Sequence, residues 1–587
     1  MIKLEKVTYN YSISEGKVIS ALQGIDLELK EGEYVSMIGP NGSGKTTLAR
    51  LLNGLLLPSS GEVLVDGLNS KVKEDLRLIR QKVGMVFQNP ENQIITTSVE
   101  REIAFGLENL NLPSEEIRER VEWALSAFHL WDYKNSPPHS LSGGEKQRLA
   151  IASVLAMKPK YLILDEPTSL LDPEGREMLN MLIRKLADEG KVTIISITQF
   201  PEEAILAQRL LVMDKGRIIL DDSQEKVFEE DEKLKEIGLA IPKSLEIANG
   251  LKRKGFRFKR KVLKIEDLIQ ELLSLKGVNY SLPVIQKKTN ITEQGKSKIS
   301  EYLQIELENS GFIYNYRNIN PKVALKDINL KIKKGEFVGL IGPTGSGKTT
   351  LAQLLDGLLF ATSGLIRVEG LEIKEKVSYL KKIRQKVGLA FQFPERQLFE
   401  ETVYEDVSFG PKNLGLEKEK IDSRVRKSLE VVGLDFDAFA QRSPFSLSSG
   451  EQRRVAIAGI LALEPEILIL DEPTAGLDFA GICRVKKILL ELNKKGVTIV
   501  LISHNLELVA EVCKRIIYLK EGKILFDGSK TEFFGQTEKL QEEEIRVPET
   551  VELLQSLRKA GFKIRDDLYE TEGIIEELYS IFGKKEK

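Results

Sequence analysis

The fold is decided by GPNGSGKT at residues 39–46 and by its near-copy GPTGSGKT at residues 342–349. Both stretches match the pattern G-x-x-x-x-G-K-[ST], and each follows an apolar run and precedes a segment with helical spacing. Glycines allow the backbone N–H groups of such a loop to converge on phosphate oxygens, and the positive end of the next helix adds to the attraction. The two stretches therefore predict two loops that bind nucleotide phosphates.

Within each loop, one lysine and one threonine have a predicted task. Lys45 and Lys348 would neutralise the β- and γ-phosphates of the nucleotide, and the hydroxyls of Thr46 and Thr349 would bind Mg²⁺. The full set of predicted loop residues is Gly39, Pro40, Asn41, Gly42, Ser43, Gly44, Lys45, Thr46 and Thr47 in the first copy, and Gly342, Pro343, Thr344, Gly345, Ser346, Gly347, Lys348, Thr349 and Thr350 in the second.

Longer segments around the two loops repeat as well. IRQKVGMVFQNPENQ, which contains Gln88, returns as IRQKVGLAFQFPERQ, which contains Gln392. LSGGE at 141–145 returns as LSSGE at 447–451, and the offset between equivalent residues drifts only from 303 at the loops to 306 at this motif. The chain is therefore predicted to be an internal duplication.

The duplication includes the tail of each copy. IPKSLEIANGLKRKGF from Ile241 is similar to VPETVELLQSLRKAGF from Val547. The stretch between the copies is polar and has no sustained period, which indicates a linker. The predicted domains are a first module at 1–230 with a helical appendix at 231–275, the linker at 276–301, and a second module at 302–535 with its appendix at 536–587.

Composition excludes several classes of protein. Among 587 residues, 86 are Lys or Arg and 88 are Asp or Glu, and the resulting net charge of −2 argues against a nucleic acid as the partner. Only two cysteines are present, which excludes a disulfide scaffold and favours a reducing compartment. No apolar run approaches the 18 residues of a membrane span, and the first residues show no secretory pattern. We therefore expect an intracellular protein that does not itself cross a bilayer.

Short apolar runs alternate with longer helical stretches in each copy. Tyr34–Ile38, Tyr161–Leu164 and Val192–Ile197 are predominantly apolar, as strands covered on both faces must be. The alternation predicts an α/β fold in which helices wrap a mostly parallel sheet.

Two carboxylates follow one of these strands in each copy. Asp165 and Glu166 end YLILDE, and Asp471 and Glu472 end ILILDE. The aspartates are predicted to lie beside Mg²⁺, and the glutamates to orient and deprotonate the attacking water.

At this point the sequence resembles a known family, the ATP-binding-cassette (ABC) proteins. The resemblance rests on the LSGGE-type motifs, the loops around Gln88 and Gln392, and the turns SLLD at 169–172 and AGLD at 475–478, and it covers nearly all of both halves. It implies two P-loop nucleotide hydrolase cassettes, each with a RecA-like core, an antiparallel β subdomain, a helical subdomain bearing LSGGE and a C-terminal helical tail. It also implies that Gln88 and Gln392 help to hold Mg²⁺.

The resemblance further implies a head-to-tail sandwich, in which each ATP lies between the phosphate loop of one cassette and the LSGGE motif of the other. Because LSGGE opens a helix, its residues would form an anion site for an opposing γ-phosphate. The predicted residues of this kind are Ser142, Gly143, Gly144, Ser448, Ser449 and Gly450. Tyr11 and Tyr316 match the position where the family stacks an aromatic ring on adenine; the alternative is that they are ordinary strand aromatics, since Tyr9 and Tyr314 lie two residues away.

The two ATP sites are expected to differ. A histidine ends the next strand after the catalytic carboxylate in this family, and His504 takes that place in the second half, whereas the first half has Gln199. Glutamine can hydrogen-bond a phosphate but cannot carry positive charge, so it should stabilise the transition state less well. The second LSGGE-type motif also departs from the family pattern, because it has Ser449 where the first motif has Gly143. A side chain at this position would crowd the close approach of a phosphate to the backbone.

Both departures fall in the same composite site. That site would join Lys45, Glu166 and Gln199 to residues 447–451. The complete site would join Lys348, Glu472 and His504 to residues 141–145. We therefore predict unequal turnover at the two sites.

The segment after each Gln loop resembles one branch of the family, the ATPases of energy-coupling factor transporters. It is FQFPERQLF at 391–399, followed by TVYEDVSFGPKNLG at 402–415, with the related FQNPENQI at 87–94 in the first half. The resemblance implies a transmembrane coupling subunit whose arginines meet Glu91 and Glu395, although helix-start acids favoured by the dipole are the alternative for both. It also implies a separate substrate-binding membrane subunit for vitamins, their precursors or metal ions.

The sequence therefore predicts a fused two-cassette ATPase, peripheral on the cytoplasmic face of the cell membrane. Two other classes stay open: a soluble tandem-cassette ATPase acting on ribosomes, and the tandem ATPase subunit of a sugar importer. The basic run KRKGFRFKRK at 252–261 would suit RNA, but its place within the repeated tail favours a solvated helix face. No residue selects the transported substrate.

Overall fold

The computed structural model describes residues 1–12, 18–169, 171, 173–275, 302–316, 321–375, 379–392, 397–543 and 545–583. The predicted linker at 276–301 lies outside these ranges. Contacts between residues divide the chain into two units, which are described separately: Met1–Pro242 with Asp478–Ala480, and Lys243–Leu477 with Gly481–Lys587.

The first unit is built on two sheets. Its strands are β1 (Ile2–Ser12), β2 (Val18–Leu29), β3 (Tyr34–Ile38), β4 (Ser60–Val65), β5 (Leu68–Asn69), β6 (Val83–Val86), β7 (Tyr161–Asp165), β8 (Thr193–Ile197), β9 (Arg209–Asp214) and β10 (Arg217–Ser223). The six-stranded sheet has the order β10-β9-β3-β8-β7-β6 and is parallel except for the β9–β10 pair. The four-stranded sheet, β2-β1-β4-β5, is antiparallel throughout.

Helices cover the six-stranded sheet and form a separate helical subdomain. They are α1 (Lys45–Leu52), α2 (Lys73–Lys82), α3 (Val99–Asn109), α4 (Ser114–Ala127), α5 (Gly143–Ala156), α6 (Pro173–Asp188), α7 (Pro201–Ala204), α8 (Gln224–Glu229) and α9 (Asp231–Glu236). The three strands predicted from apolar runs are confirmed as β3, β7 and β8, and every residue in them is buried. The predicted α/β class is confirmed.

The core of the first unit joins its two sheets and the first helix. Val35 and Met37 of β3, Leu48 and Leu51 of α1 and Ile2 of β1 belong to one buried cluster. Each such side chain contributes about 1.5–3 kcal/mol when buried. The phosphate loop between β3 and α1 is therefore anchored at both ends.

The second unit repeats this topology. Its strands are β11 (Leu303–Tyr314), β12 (Lys322–Lys333), β13 (Phe337–Ile341), β14 (Ser363–Val368), β15 (Leu371–Glu372), β16 (Val387–Ala390), β17 (Ile467–Asp471), β18 (Thr498–Ile502), β19 (Arg515–Lys520) and β20 (Lys523–Ser529). They form the sheets β16-β17-β18-β13-β19-β20 and β12-β11-β14-β15.

The helices of the second unit include two that precede the linker. They are α10 (Lys243–Arg253), α11 (Ile265–Leu275), α12 (Lys348–Leu355), α13 (Leu380–Lys386), α14 (Val403–Asn413), α15 (Lys418–Val431), α16 (Phe436–Phe439), α17 (Ser449–Leu461), α18 (Phe479–Lys494), α19 (Leu506–Val512), α20 (Lys530–Gly535), α21 (Thr537–Glu542), α22 (Glu549–Lys559) and α23 (Thr571–Phe582). None of the helices in the described ranges is both long enough and apolar enough to span a membrane.

The repeated tails of the two copies pack together within the second unit. Leu251 and Leu272 of α10 and α11 share a buried cluster with Leu557 and Leu578 of α22 and α23. Residues 243–275, which the sequence analysis assigns to the first appendix, thus group with the second unit. The basic run at 252–261 is exposed, but it lies mostly in the loop between α10 and α11 rather than on a helix face, because α10 ends at Arg253.

Candidate functional site

The first phosphate loop has the shape that its glycines predict. Gly44 precedes α1 with φ at 102°, a left-handed conformation that favours glycine. A Cβ atom at Gly39 would overlap the carbonyl oxygen of Met213, so the loop passes too close to β9 for any side chain there. The buried Lys45 ammonium donates to the carbonyl oxygens of Gly39 and Pro40 at 2.7 and 2.9 Å. Burial lowers the pKa of Lys45.

The second loop repeats this geometry between β13 and α12. Gly347 has φ at 105°, and a Cβ atom at Gly342 would overlap the carbonyl oxygen of Leu519. Lys348 donates to the carbonyl oxygens of Gly342 and Pro343 at 2.7 and 2.8 Å. Both lysines are thus held over their loops by carbonyl groups, in place to meet phosphate oxygens.

The groups around the loops fit ATP with Mg²⁺. The Ser43 hydroxyl is buried and has no hydrogen-bond partner within the described ranges, so it is available to a phosphate oxygen. Thr46 Oγ1 lies 3.2 Å from Asp165 Oδ1, and Thr349 Oγ1 lies 2.6 Å from Asp471 Oδ2. Hydroxyl and carboxylate oxygens are the ligands that Mg²⁺ prefers, and the ion would neutralise phosphate charge there. Burial raises the pKa of both aspartates in the absence of the cation.

Glu166 is enclosed by amide donors in the first unit. Gln88 Nε2 donates to one carboxylate oxygen at 2.7 Å, and Gln199 Nε2 donates to the other at 2.6 Å. The Gln199 amide also lies 3.0 Å from Asn41 Oδ1 on the phosphate loop. Burial raises the pKa of Glu166. The structure therefore brings four of the predicted site residues into direct contact.

Glu472 has different surroundings in the second unit. Ser503 Oγ donates to one carboxylate oxygen at 3.4 Å, and His504 Nε2 lies 3.5 Å from the other, which accepts no hydrogen bond within the described part of the chain. Burial, together with the charge of the neighbouring Asp471, raises the pKa of Glu472 to about 8 against the opposing charge of Lys348. Glu472 is thus a strong base with few donors, whereas both oxygens of Glu166 already accept amide hydrogen bonds.

Gln88 and Gln392 are not equivalent in the structure. Gln88 reaches Glu166, whereas Gln392 is exposed at the end of β16, and its backbone carbonyl accepts from the Arg453 guanidinium at 3.0 Å.

Each LSGGE-type motif begins a helix, as predicted. The Ser142 hydroxyl accepts from the backbone N–H of Glu145 at 3.3 Å, and the Glu145 carboxylate accepts from the backbone N–H of Ser142 at 2.7 Å. Ser448 and Glu451 form the same reciprocal pair at the start of α17. The pair fixes the first turn of each helix and presents the positive end of its dipole at the motif.

The glycines of the motif leave room for a larger residue. A Cβ atom at Gly143 would have no described atom within 4 Å, and one at Gly144 would make an ordinary 3.6 Å contact with Leu171. One at Gly450 would lie 3.9 Å from Leu477. Crowding by a side chain at position 143 or its equivalent would therefore have to come from a bound ligand.

Tyr314, rather than the predicted Tyr316, is the structural counterpart of Tyr11 in the second copy. The Tyr11 hydroxyl lies 3.2 Å from Thr47 Oγ1, and the Tyr314 hydroxyl lies 3.1 Å from Thr350 Oγ1. Tyr11 and Tyr314 are 36% and 37% exposed, whereas Tyr316 lies in the turn after β11 and is 64% exposed. The offset of 303 that relates the two loops also relates Tyr11 to Tyr314, and this signal was present in the sequence.

The predicted partner residues lie at the surface where they are described. Glu91 is in a short 3₁₀ turn, and its carboxylate pairs with Lys146 Nζ at 2.7 Å. Glu395 lies outside the described residues, as does Asp172 of the SLLD turn.

Sequence reasoning missed Glu203, which is buried beside the first site. Its carboxylate accepts hydrogen bonds from Thr168 and Thr198, which stand 35 and 5 residues away in the chain. An acid in a helix-forming stretch carries no signal for such a contact, because only the sheet order brings the two threonines together.

A phosphate loop with a buried lysine, a threonine–aspartate pair and a following glutamate occurs twice. This arrangement binds a nucleoside triphosphate and activates water for attack on its γ-phosphate. The fold and the site therefore define an ATP-hydrolysing protein of the P-loop class.

Comparison with known proteins identifies the family. The family model for ABC transporters matches residues 22–169 and 325–475. A protein described as an ABC transporter ATP-binding protein from Methanosarcina mazei is 39% identical over 96% of this chain and 95% of its own length. One from Caldanaerobacter subterraneus is 37% identical over 96% of this chain and 98% of its own length. The energy-coupling factor transporter ATP-binding protein EcfA1 of the same organism is 47% identical over 46% of this chain and 98% of its own length.

The chain belongs to the ABC transporter family. It is an ATP-binding protein with two cassettes, and it hydrolyses ATP with Mg²⁺ as cofactor.

Proposed function

We propose that the chain is the fused ATPase pair of an energy-coupling factor importer, peripheral on the cytoplasmic face of the membrane. It would act with a transmembrane coupling subunit and a separate substrate-binding membrane subunit for vitamins, their precursors or metal ions. The similarity to the energy-coupling factor ATP-binding protein supports this assignment, since it extends over nearly the whole of that relative.

The observation that carries the proposal is an exposed apolar pair beside the Gln loop of each cassette. Phe399 and Phe409 are 57% and 43% exposed, and their rings meet edge to face at 4.8 Å. Ile95 and Phe105 occupy the equivalent positions of the first cassette and are also exposed. Exposed apolar side chains that lie together, as Phe399 and Phe409 do, are typical of surfaces that another protein covers.

A buried or partly buried carboxylate holds the backbone beneath each pair. Glu102 accepts from the backbone N–H groups of Ile95 and Thr96 at 3.1 and 2.8 Å. Asp406 accepts from those of Phe399 and Glu400 at 2.9 and 3.1 Å. The apolar side chains are therefore held outward on a fixed loop, which suits transmission of a motion to a membrane subunit.

Glu91 would contribute a charge to the same surface. Because Glu91 is paired with Lys146, an arginine of the coupling subunit would have to replace or join that lysine. The equivalent role for Glu395 is proposed on the sequence pattern alone.

The two cassettes would bind ATP at composite sites, each completed by the LSGGE-type motif of the other half. The contrast between Glu166 and Glu472 supports unequal turnover. The two amide hydrogen bonds stabilise the Glu166 carboxylate and make it a weaker base, whereas one oxygen of Glu472 accepts no hydrogen bond within the described part of the chain. The site that contains Glu472 and His504 is therefore proposed to be the faster one.

Co-purification tests the importer assignment. The tagged full chain would be expressed in its own host, extracted with the membranes in mild detergent, and its partners identified by mass spectrometry. We expect small transmembrane proteins, and we expect Phe399→Glu to reduce their recovery at least fivefold. The matched control is Leu525→Glu, which changes another exposed apolar residue of the second unit.

The other outcomes have a defined meaning. Recovery with ribosomes would support the soluble tandem-cassette alternative, and recovery with the membrane subunits of a sugar importer would support the third class. Equal recovery with Phe399→Glu and Leu525→Glu would remove the apolar pair as the partner surface.

A further inference from the structure

A buried carboxylate links the two loops that carry the reacting groups of the first site. Thr168 Oγ1 donates to Glu203 Oε1 at 2.7 Å, and Thr198 Oγ1 donates to Glu203 Oε2 at 2.6 Å. Thr168 follows Glu166 by two residues, and Thr198 immediately precedes Gln199. Glu203 therefore connects the end of β7 to the end of β8 through hydroxyl groups.

The surroundings make this link stiff. Glu203 is 5% exposed, and the Thr198 hydroxyl also accepts from the backbone N–H of Phe200 at 3.1 Å. The Arg176 guanidinium lies 3.9 Å from the centre of the Phe200 ring, with its Nε 3.7 Å from Glu203 Oε1. Both carboxylate oxygens are thus engaged, and the turn that carries Gln199 is held from two sides.

No equivalent link is present among the described residues of the second unit. The residue four positions after His504 is Leu508, which is buried and has no group to accept a hydrogen bond. Ser503 donates to Glu472 instead, and the Asn505 side chain caps the following helix by accepting from the backbone N–H of Leu508 at 3.0 Å. The carboxylate link is therefore a feature of the first site.

We propose that Glu203 is a positioning residue for ATP hydrolysis at the first site, holding Gln199 against Glu166 through Thr168 and Thr198. Glu203 does not touch the reacting atoms. It keeps the Gln199 amide within hydrogen-bond distance of both Glu166 and the phosphate loop, where it can meet the γ-phosphate and the attacking water. This arrangement compensates in part for the missing histidine, since a neutral amide must be placed accurately to stabilise the transition state.

The inference rests on the proposed function only in taking the first site as one that turns over, so the test isolates that site. Glu472→Gln silences the second catalytic carboxylate, and single-turnover hydrolysis of radiolabelled ATP is then followed with the full chain in excess. Glu203→Leu introduces the residue type that the second copy has at the equivalent position, Leu508. Added to the Glu472→Gln background, it should slow hydrolysis tenfold or more. Glu203→Gln retains hydrogen bonds to both threonines and should stay within threefold of the background rate.

Affinity for ATP separates positioning from misfolding. Among the described residues, the hydrogen bonds and the ion pair of Glu203 go to Thr168, Thr198 and Arg176, none of which is in the phosphate loop. Binding of a fluorescent ATP analogue should therefore be unchanged in both variants, while the rate falls only in Glu203→Leu. Glu202→Gln, a change at the neighbouring acid, is the matched control and should leave both quantities unchanged.

Three results would overturn the inference. They are an unchanged rate in Glu203→Leu, an equal loss in Glu203→Gln, and a complete absence of hydrolysis in the Glu472→Gln background, which would mean that there is no reaction to position. None of these results bears on the assignment to an importer, which is tested by the membrane proteins that co-purify with the chain.

Discussion

Replacing Glu472 with glutamine should stabilise the nucleotide-free protein, and the gain should grow with pH. Burial raises the pKa of Glu472 from an ordinary 4.5 to about 8 in the folded chain. Between these two values the folded state holds more protons than the unfolded state, so the free energy of unfolding falls as pH rises and becomes constant above about pH 8. Glutamine is as large as the protonated acid and never ionises, so it removes this loss.

The pKa difference sets the size of the effect. The two values differ by 8 − 4.5, or about 3.5, which at about 1.36 kcal/mol for each pH unit gives a limit of about 5 kcal/mol. The substitution is expected to increase the free energy of unfolding by up to about 2 kcal/mol at pH 6 and up to about 4 kcal/mol at pH 8. At roughly 2 °C for each kcal/mol, the melting temperature of the second unit should rise by up to roughly 4 °C at pH 6 and roughly 8 °C at pH 8.

Calorimetry of the nucleotide-free full chain at several pH values measures this difference. Glu166→Gln is the matched control, because Glu166 accepts hydrogen bonds from both Gln88 and Gln199. A glutamine at position 166 has only one side-chain oxygen, so it can accept from only one of the amides of Gln88 and Gln199. The other amide would face the new side-chain NH₂ group, which lowers the free energy of unfolding by about 1–3 kcal/mol. The increase in melting temperature at pH 8 should therefore be smaller for Glu166→Gln than for Glu472→Gln. A melting temperature of Glu472→Gln that equals the wild-type value, or a difference that does not change between pH 6 and pH 8, would refute the reasoning.

Two further predictions concern turnover and the phosphate loop. Steady-state ATP hydrolysis should fall more in Glu472→Gln than in Glu166→Gln, by about tenfold or more, because the Glu472 site has the stronger base and the histidine; equal losses would contradict the asymmetry. Gly39→Ala should lower the free energy of unfolding by about 1–3 kcal/mol and abolish ATP binding at the first loop, since its Cβ would overlap the Met213 carbonyl. Gly143→Ala, whose Cβ would have no described atom within 4 Å, should change the free energy of unfolding by less than about 0.5 kcal/mol in thermal melts.

Much of the fold could be predicted because its signals are local. The strands β3, β7 and β8 can be recognised in the sequence as short, predominantly apolar runs, since a strand covered on both faces needs apolar residues along its length. The phosphate loops depend on glycines with left-handed φ and on a lysine at a set spacing, and both requirements fit within eight residues. The reciprocal caps at Ser142 and Ser448 each depend on a serine and on a glutamate three residues later, so this signal is also local.

Register and contact partners were harder to predict. The motif predicts Tyr316 as the second aromatic residue, whereas the contact with Thr350 gives Tyr314 the place that Tyr11 has beside Thr47. Neighbouring tyrosines look alike in a motif, so the choice needed either the constant offset of 303 between the copies or the register of the strand, which decides which ring faces the loop.

From its sequence alone, this chain was determined to be a duplicated P-loop protein with two lysine-bearing loops and two following glutamates, because each of those features is a local choice of residues. Only the tertiary structure decided that Gln88 and Gln199 both reach Glu166, and that Glu203 connects two strand ends. It also decided that one oxygen of Glu472 accepts no hydrogen bond from the residues that the structure describes. The tail helices of the first copy likewise pack with those of the second only in three dimensions. The physical reason is the same in each case: hydrogen bonding and burial depend on which strand ends and helix faces become neighbours, and that order is set by the packing of the whole unit.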